Sequence, residues 1–149
     1  MTRFHHVSFT VSDVDAAEAW FVEHFGLVRV GGGDYDFDYI RSQVGMADAV
    51  LKVSVLADPA ERGDLLELIE YVGARGAPAD TATNRPGNAH LCFLSRDIEA
   101  DYRRLSGRGV RFVSAPNTVT WGINAGARAV YLLGPDDIRL ELFQPARAG

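Results

Sequence analysis

Over residues 6–11, HVSFTV, Val7, Phe9 and Val11 fall on one parity and His6, Ser8 and Thr10 on the other. Alternation with a period of two marks a half-buried strand. The period then changes. Ala16, Ala17, Trp20, Phe21 and His24 recur at i, i+3, i+4 spacing, which predicts an amphipathic helix. Ser12 or Asp13 can cap its start, and Gly26 stops it. Further strands are expected over 27–30, 49–57 and 64–71, giving the order β-α-β-β-β. Residues 88–94, a helix at 97–106, then 110–114, 127–133 and 138–143 repeat that order. Between them, 73–87 is rich in Ala, Gly, Pro, Asp and Thr and reads as a linker.

The two halves match in residues as well as in pattern. HVSFTVSDVDAA from His6 aligns with HLCFLSRDIEAD from His90: His6 on His90, Phe9 on Phe93, Asp13 on Asp97, Asp15 on Glu99, Ala16 on Ala100. HFGLVRV then matches GRGVRFV, with Gly26 on Gly109, and LLELIE matches RLELFQ, with Glu67 on Glu141. Three similar blocks in one order make the chain two copies of one module: module one over 1–72, module two over 88–145, in a single domain over 1–149. Both copies carry an insertion between their second and third strands, 34–48 and 115–125, which suggests a covered pocket. A short helix is expected in the first.

Parity places candidate chemistry. His6 lies opposite the face of Val7 and Phe9, and His90 and Cys92 lie opposite Leu91 and Phe93. Glu67 opposes Leu66 and Leu68, and Glu141 opposes Leu140 and Leu142. Each module thus offers one histidine and one glutamate on the face away from its helix. A carboxylate inside a strand that reads as buried needs a partner or a metal. Two modules paired face to face about a pseudo-twofold axis would bring two His and two Glu together. Imidazole and carboxylate ligands suit one divalent ion: Zn, Ni, Co, Mn or Fe.

HHVSFTVSDVDAAEAWFVEHFGL, GNAHLCFLSRDIEADYRRLSGRGVRF, LELIEY and RLELFQ resemble the opening strand and helix, the second opening and the two ligand strands of the vicinal oxygen chelate superfamily. That superfamily holds glyoxalase I, methylmalonyl-CoA epimerase, extradiol dioxygenases and bleomycin-resistance-type proteins. The resemblance covers almost the whole chain. It implies metal ligands at His6, Glu67, His90 and Glu141, as in the glyoxalase and epimerase branches, and Glu141 or Glu67 as the catalytic base. It also implies a homodimer, with the metal site within one chain or between two. The expected fold is α+β: two tandem βαβββ modules forming an incomplete, strongly curved sheet around a metal site.

The expected activity is that of a metal-dependent epimerase, isomerase or glyoxalase-type lyase. It would act through a metal-bound enolate of a small oxygenated carbonyl compound, a keto-polyol or a 2-substituted acid. Asp36 or Asp38 is an alternative base. Tyr35, Asp36, Asp38 and Arg41 on the first insertion, Trp121 on the second, and Arg128 are candidate substrate-binding residues, with a solvated surface as the competing reading of the charged ones. No basic cluster for coenzyme A phosphates stands out, which weakens methylmalonyl-CoA, and the acidic, tyrosine-bearing insertion suits a hydroxylated, uncharged compound. An extradiol-type Fe(II) ring-cleaving dioxygenase would use His6, His90 and Glu141. A non-catalytic protein that sequesters a small molecule is the third reading. His5 has the opposite parity to His6 and is read as surface or as support behind a ligand. Glu70 should lie outside the site.

Composition narrows the partners. The chain has 149 residues and a formal net charge of −5 without a Lys/Arg run, which argues against nucleic acid and an anionic membrane surface. No apolar run approaches the roughly 20 residues of a membrane span. MTRFHHVSF lacks signal-peptide architecture, and the single cysteine, Cys92, forms no intrachain disulfide, so a cytoplasmic setting is expected. Cys92 itself reads as a small buried hydrophobe.

Overall fold

The computed structural model describes residues 2–60 and 65–146. The chain divides into two compact units, Met1–Pro78 and Ala79–Gly149, so the break falls inside the predicted linker. Position 64 of the predicted strand 64–71 lies outside the described residues.

The first unit contains β1 (His6–Thr10), α1 (Val14–Phe25), β2 (Val28–Tyr35), α2 (Asp38–Val44), β3 (Val50–Ala57) and β4 (Leu65–Gly73). Its sheet has the order β1-β4-β3-β2, with β1 parallel to β4 and the other pairs antiparallel. The second unit contains β5 (Leu91–Leu94), α3 (Ile98–Gly107), β6 (Arg111–Phe112), β7 (Asn117–Thr118), β8 (Arg128–Leu133), a 3-10 turn (Pro135–Asp137) and β9 (Arg139–Gln144). Its sheet has the order β5-β9-β8-β6, with β7 beside β8. Here too the first strand runs parallel to the last. Register repeats as well: Ser8 stands opposite Glu67, and Cys92 opposite Glu141. At the two glutamates the aligned positions therefore stand in the same register in both units.

The helices are capped alike. Asp13 accepts from the Ala16 N–H at 3.0 Å, and Asp97 from Ala100 at 3.0 Å. A second acceptor comes from the last strand of each unit. Glu70 accepts from the Val14 N–H at 3.0 Å and Gln144 from Ile98 at 2.8 Å, satisfying a donor that the helix itself leaves unpaired. Glu70 also pairs with Arg75 at 2.6 Å, and Arg75 donates to the Ser12 carbonyl at 3.0 Å. Glu70→Ala should lower stability by about 1 kcal/mol, the usual effect of losing a cap, whereas Glu70→Gln should be milder because Gln144 already does this work. Urea unfolding of both variants is the measurement.

Apolar strand faces meet the helices as parity predicts. Phe21 on α1 is fully buried with Leu56 and Leu68 in the first unit. Ile98 and Leu105 on α3 are fully buried with Leu132 and Leu140 in the second. The first insertion forms α2, whose Ile40 is buried with Leu51 and Val53 beside Tyr35, Val44, Val55, Ile69 and Tyr71. These strand positions share the Glu67 side of the sheet, so α1 and α2 cover opposite faces.

Strand β2 runs farther than 27–30 because Gly31–33 continue the pairing with β3. At Gly32 a Cβ would stand 2.1 Å from the Val53 carbonyl oxygen, and φ is +114°. Only glycine fits that approach. Gly32→Ala should destabilise the first unit by at least the 1–3 kcal/mol of a strained backbone position, measured by urea unfolding.

The strongly curved sheet around a metal site is not what forms. Among the described residues there are two open sheets, of four and five strands, and neither closes or curls strongly. In each, the last strand returns beside the first strand of its own module, leaving β1 and β2, or β5 and β6, at the edges. Closure into a barrel takes about eight strands with a matched stagger, and neither sheet has them. Among the described residues no three His, Cys, Asp or Glu form a group able to hold a metal. No helix among them is long and apolar enough to cross a membrane.

Candidate functional site

Strand pairing makes two His–Glu couples. β1 carries His6 beside β4, and His6 Nε2 stands 3.6 Å from Glu67 Oε2. His90 immediately precedes β5, and its Nε2 lies 3.0 Å from Glu141 Oε2 on the adjacent β9. The two carboxylates are only partly buried, with side chains 27% and 17% exposed. Each stands beside an imidazole, so of the two answers expected for a carboxylate in such a strand, a partner or a metal, a partner is at hand in both units.

The couples differ in detail. Glu141 is flanked in register by Cys92 on β5 and Tyr131 on β8, and Tyr131 meets the His90 ring edge-on with centroids 5.1 Å apart. Glu67 is flanked by Ser8 and Val55. His6 has a further neighbour: its Nδ1 lies 2.9 Å from His5 Nδ1. The 3.6 Å between His6 Nε2 and Glu67 Oε2 is beyond a normal hydrogen bond. Two donors on one tetrahedral ion, each about 2.0–2.2 Å from it, stand roughly 3.4 Å apart. The donor types of the first couple suit a divalent ion, but the couple brings only two donors together, and no third joins them among the described residues. The second couple has matching donor types, drawn together to hydrogen-bond distance.

Burial of Cys92 does not hold. The residue is exposed, and its parity with His90 was the signal that set it beside the couple. Partial burial of the sulfur pushes its pKa up to about 12, helped by the charge of Glu141 and by a hydrogen bond to it. Burial first, then Glu141 and Cys92, raises Tyr131 as well. Because only the thiolate is nucleophilic, Cys92 of the metal-free protein should react slowly with iodoacetamide at pH 8. Its rate should keep climbing beyond about pH 10, where an ordinary thiol levels off, and Glu141→Gln should speed it at pH 8. The sign for stability follows. The folded chain keeps this proton to about pH 12 while the unfolded chain releases it near pH 9, so the contribution is whole below 9 and lost as pH rises through 12.

The remaining candidates lie outside the couples. Arg41 bridges Asp36 and Asp38, the latter at 3.1 Å, so these charges neutralise one another at the surface. Tyr35 is half-buried against the α2 cluster. Trp121 is 88% exposed. Arg128 pairs with Glu99 at 2.6 Å and donates to the Pro116 carbonyl at 3.0 Å, which fixes the second insertion to its own unit. Lys52 is paired with Asp15, and that hydrogen bond raises its pKa. A cleft of about 470 Å³ in the first unit is lined by Val28, Val30, Ala57, Asp58, Pro59 and Leu65 and contains none of the candidates.

A family model for the Glyoxalase/Bleomycin resistance protein/Dioxygenase superfamily matches residues 3–142. A 2-epi-5-epi-valiolone epimerase of an Actinomyces species is 33% identical over 153 residues, spanning 97% of this chain and 80% of that protein. A glyoxalase family protein from Bacillus cereus superposes with a TM-score of 0.81 at 23% identity, over 99% of this chain and 96% of its own. An antibiotic-binding protein from a Streptomyces species superposes at 0.65 with 22% identity, over 98% of both chains. At those identities the two structures bear on the fold alone. The family match spans both units, and the chain belongs to the glyoxalase/bleomycin resistance protein/dioxygenase superfamily.

Proposed function

We propose that this protein is a divalent-metal-dependent epimerase of a keto-polyol. In this reading the His6–Glu67 couple of the first unit and the His90–Glu141 couple of the second each offer ligands to a divalent ion, and Glu67 and Glu141 move the proton. The coarse activity, epimerase- or isomerase-type conversion of a small oxygenated compound, rests on the family and on the epimerase relative. The observation that carries the finer reading is the recurrence of one His–Glu couple at equivalent positions and in equivalent register in both units. A repeat does not need to duplicate two exposed histidines and two half-buried carboxylates for packing alone.

When bound, a divalent ion acts as a Lewis acid that polarises a carbonyl and acidifies the neighbouring C–H. The chain supplies the rest. A glutamate carboxylate takes the proton from carbon, and a carboxylic acid returns it to the opposite face, so no atom is gained or lost and only configuration changes. His90 at 3.0 Å holds Glu141 in place. Cys92 stays a thiol through neutral pH and donates to that carboxylate instead of competing as a thiolate. Tyr35, Trp121 and the Arg41–Asp36–Asp38 cluster are accessible groups that would meet substrate hydroxyls, and Arg128 would brace the second insertion. The same reading has the protein act as a cytoplasmic homodimer.

The test is to incubate the zinc- or cobalt-loaded protein in D₂O with 2-epi-5-epi-valiolone, the compound that the Actinomyces relative acts on by name. Deuterium should enter beside the carbonyl as the epimer accumulates, with or without O₂. Strict dependence on O₂ would reject the epimerase reading, and so would binding of the compound without exchange.

A further inference from the structure

We infer that Arg139 binds the carbonyl oxygen of the substrate beside Glu141 and stabilises that oxygen as it becomes an enolate. The inference rests on Glu141 being a proton carrier, as proposed above, and on no metal ion. Arg139 and Glu141 share one face of β9, since Leu140 and Leu142, of the opposite parity, are buried in the core. Across the ladder Arg139 stands opposite Leu133, and Glu141 opposite Tyr131. The repeat breaks at this point. RLELFQ aligned on LLELIE sets Arg139 on Leu65, so the cation is particular to the second unit and the shared fold does not call for it.

Arg139 is half-buried, and its Nε is buried with no hydrogen-bond partner among the described residues. The carboxylates two residues to either side are taken: Asp137 pairs with Arg111, and Glu141 with His90 at 3.0 Å. A buried donor left unpaired costs about 1–3 kcal/mol, which an acceptor oxygen brought by a ligand would recover. Spacing along the strand says which oxygen. Residues i and i+2 of a strand stand about 6.5–7 Å apart. A base reaches its proton, and an oxyanion donor its oxygen, over about 3 Å each. A carbonyl and the carbon beside it fill the interval, with the C–H toward Glu141 and the oxygen toward Arg139. As the C–H bond breaks, the proton goes to Glu141, its electron pair forms the C=C bond, and the carbonyl π pair moves onto oxygen. That oxygen gains its negative charge beside a permanent cation, and returning a proton to the carbon reverses each shift. For an uncharged keto-polyol the guanidinium holds the carbonyl weakly and the enolate strongly, so Arg139 acts on kcat more than on KM.

Three variants test this by deuterium exchange into 2-epi-5-epi-valiolone in D₂O, all at the same zinc loading. Arg139→Leu puts the first unit's side chain in place, so its urea midpoint should be no lower than wild type. Its kcat should fall about 10²–10³-fold, the range for losing one oxyanion donor, with KM little changed. Arg139→Lys keeps the charge without the fork and should fall less. Arg139→Ala should be slow and should regain exchange on adding millimolar guanidinium, which Glu141→Gln should not. Wild-type kcat in Arg139→Leu, with Glu141→Gln inactive, overturns the role of Arg139 and leaves the epimerase reading standing. A fall that guanidinium does not restore in Arg139→Ala, or one confined to KM, overturns it as well. A wild type that exchanges no deuterium overturns the epimerase reading and this inference with it.

Discussion

Replacing Glu141 or Glu67 by Gln should cut proton exchange and epimerisation by about 10²–10⁴-fold, the range attributed to a positioned general acid or base. The amide keeps the shape of the carboxylate but cannot take a proton from carbon. Both side chains are only partly buried, and the residues that fill the core point the other way along the same strands, Leu66 and Leu68 on β4 and Leu140 and Leu142 on β9. The folded state should therefore survive both changes, with urea midpoints close to wild type. Zinc content then separates the roles. A variant that loses exchange and keeps zinc has lost its proton carrier, and one that loses both has lost a ligand. Glu141→Gln also removes the charged partner of His90 at 3.0 Å, so its loss of zinc should be the greater if the shorter couple is the firmer one. Exchange at wild-type rates in both variants would remove the glutamates from the mechanism and turn attention to Asp36 and Asp38, although Arg41 already occupies both.

The repeat was legible because each signal had a twin. Parity read from HVSFTV and HLCFLS placed His6 and His90 on the strand side away from the helices. The match of LLELIE with RLELFQ located the two glutamates, and of the two caps offered for the first helix, Ser12 or Asp13, it is Asp13 that accepts from Ala16. Sheet closure was not legible, because parity says which face a side chain takes and nothing of how far a sheet bends or where its ladder ends. The extension of β2 through Gly31–33 was missed because glycines lack the apolar alternation that marks a strand. What allowed it, a close approach to the Val53 carbonyl, exists only once β2 and β3 are paired. Glu70 was set aside for its parity, yet that parity aims it at the start of α1, where Gln144 does the same for α3. The signal was present, since the spacing that relates Glu67 to Glu141 also relates Glu70 to Gln144. Cys92 was read by residue type as buried when its own strand parity pointed elsewhere.

Removing metal with a chelator should abolish activity and leave a cooperative thermal transition in place. The reason lies in where the two kinds of residue sit. Phe21, Leu56 and Leu68 in one unit, and Ile98, Leu105, Leu132 and Leu140 in the other, are fully buried without help from either His–Glu couple. A chain of this length can bury about 68–70% of its unfolded surface, far beyond the case of a small zinc finger that unfolds without its ion. Adding zinc back at a hundred times its dissociation constant should stabilise the folded chain by about 2.7 kcal/mol. For a protein near this size that is a rise of roughly 5–11 °C in Tm, taking about 2–4 °C per kcal/mol. Calorimetric scans of the chelated, zinc-restored and cobalt-restored protein would read all of this at once, with the epimerase assay run on the same samples. A chelated protein that shows no transition at 25 °C or above would make the ion a structural element. Identical scans with and without zinc, in a protein whose activity also ignores the chelator, would remove the ion from the account altogether.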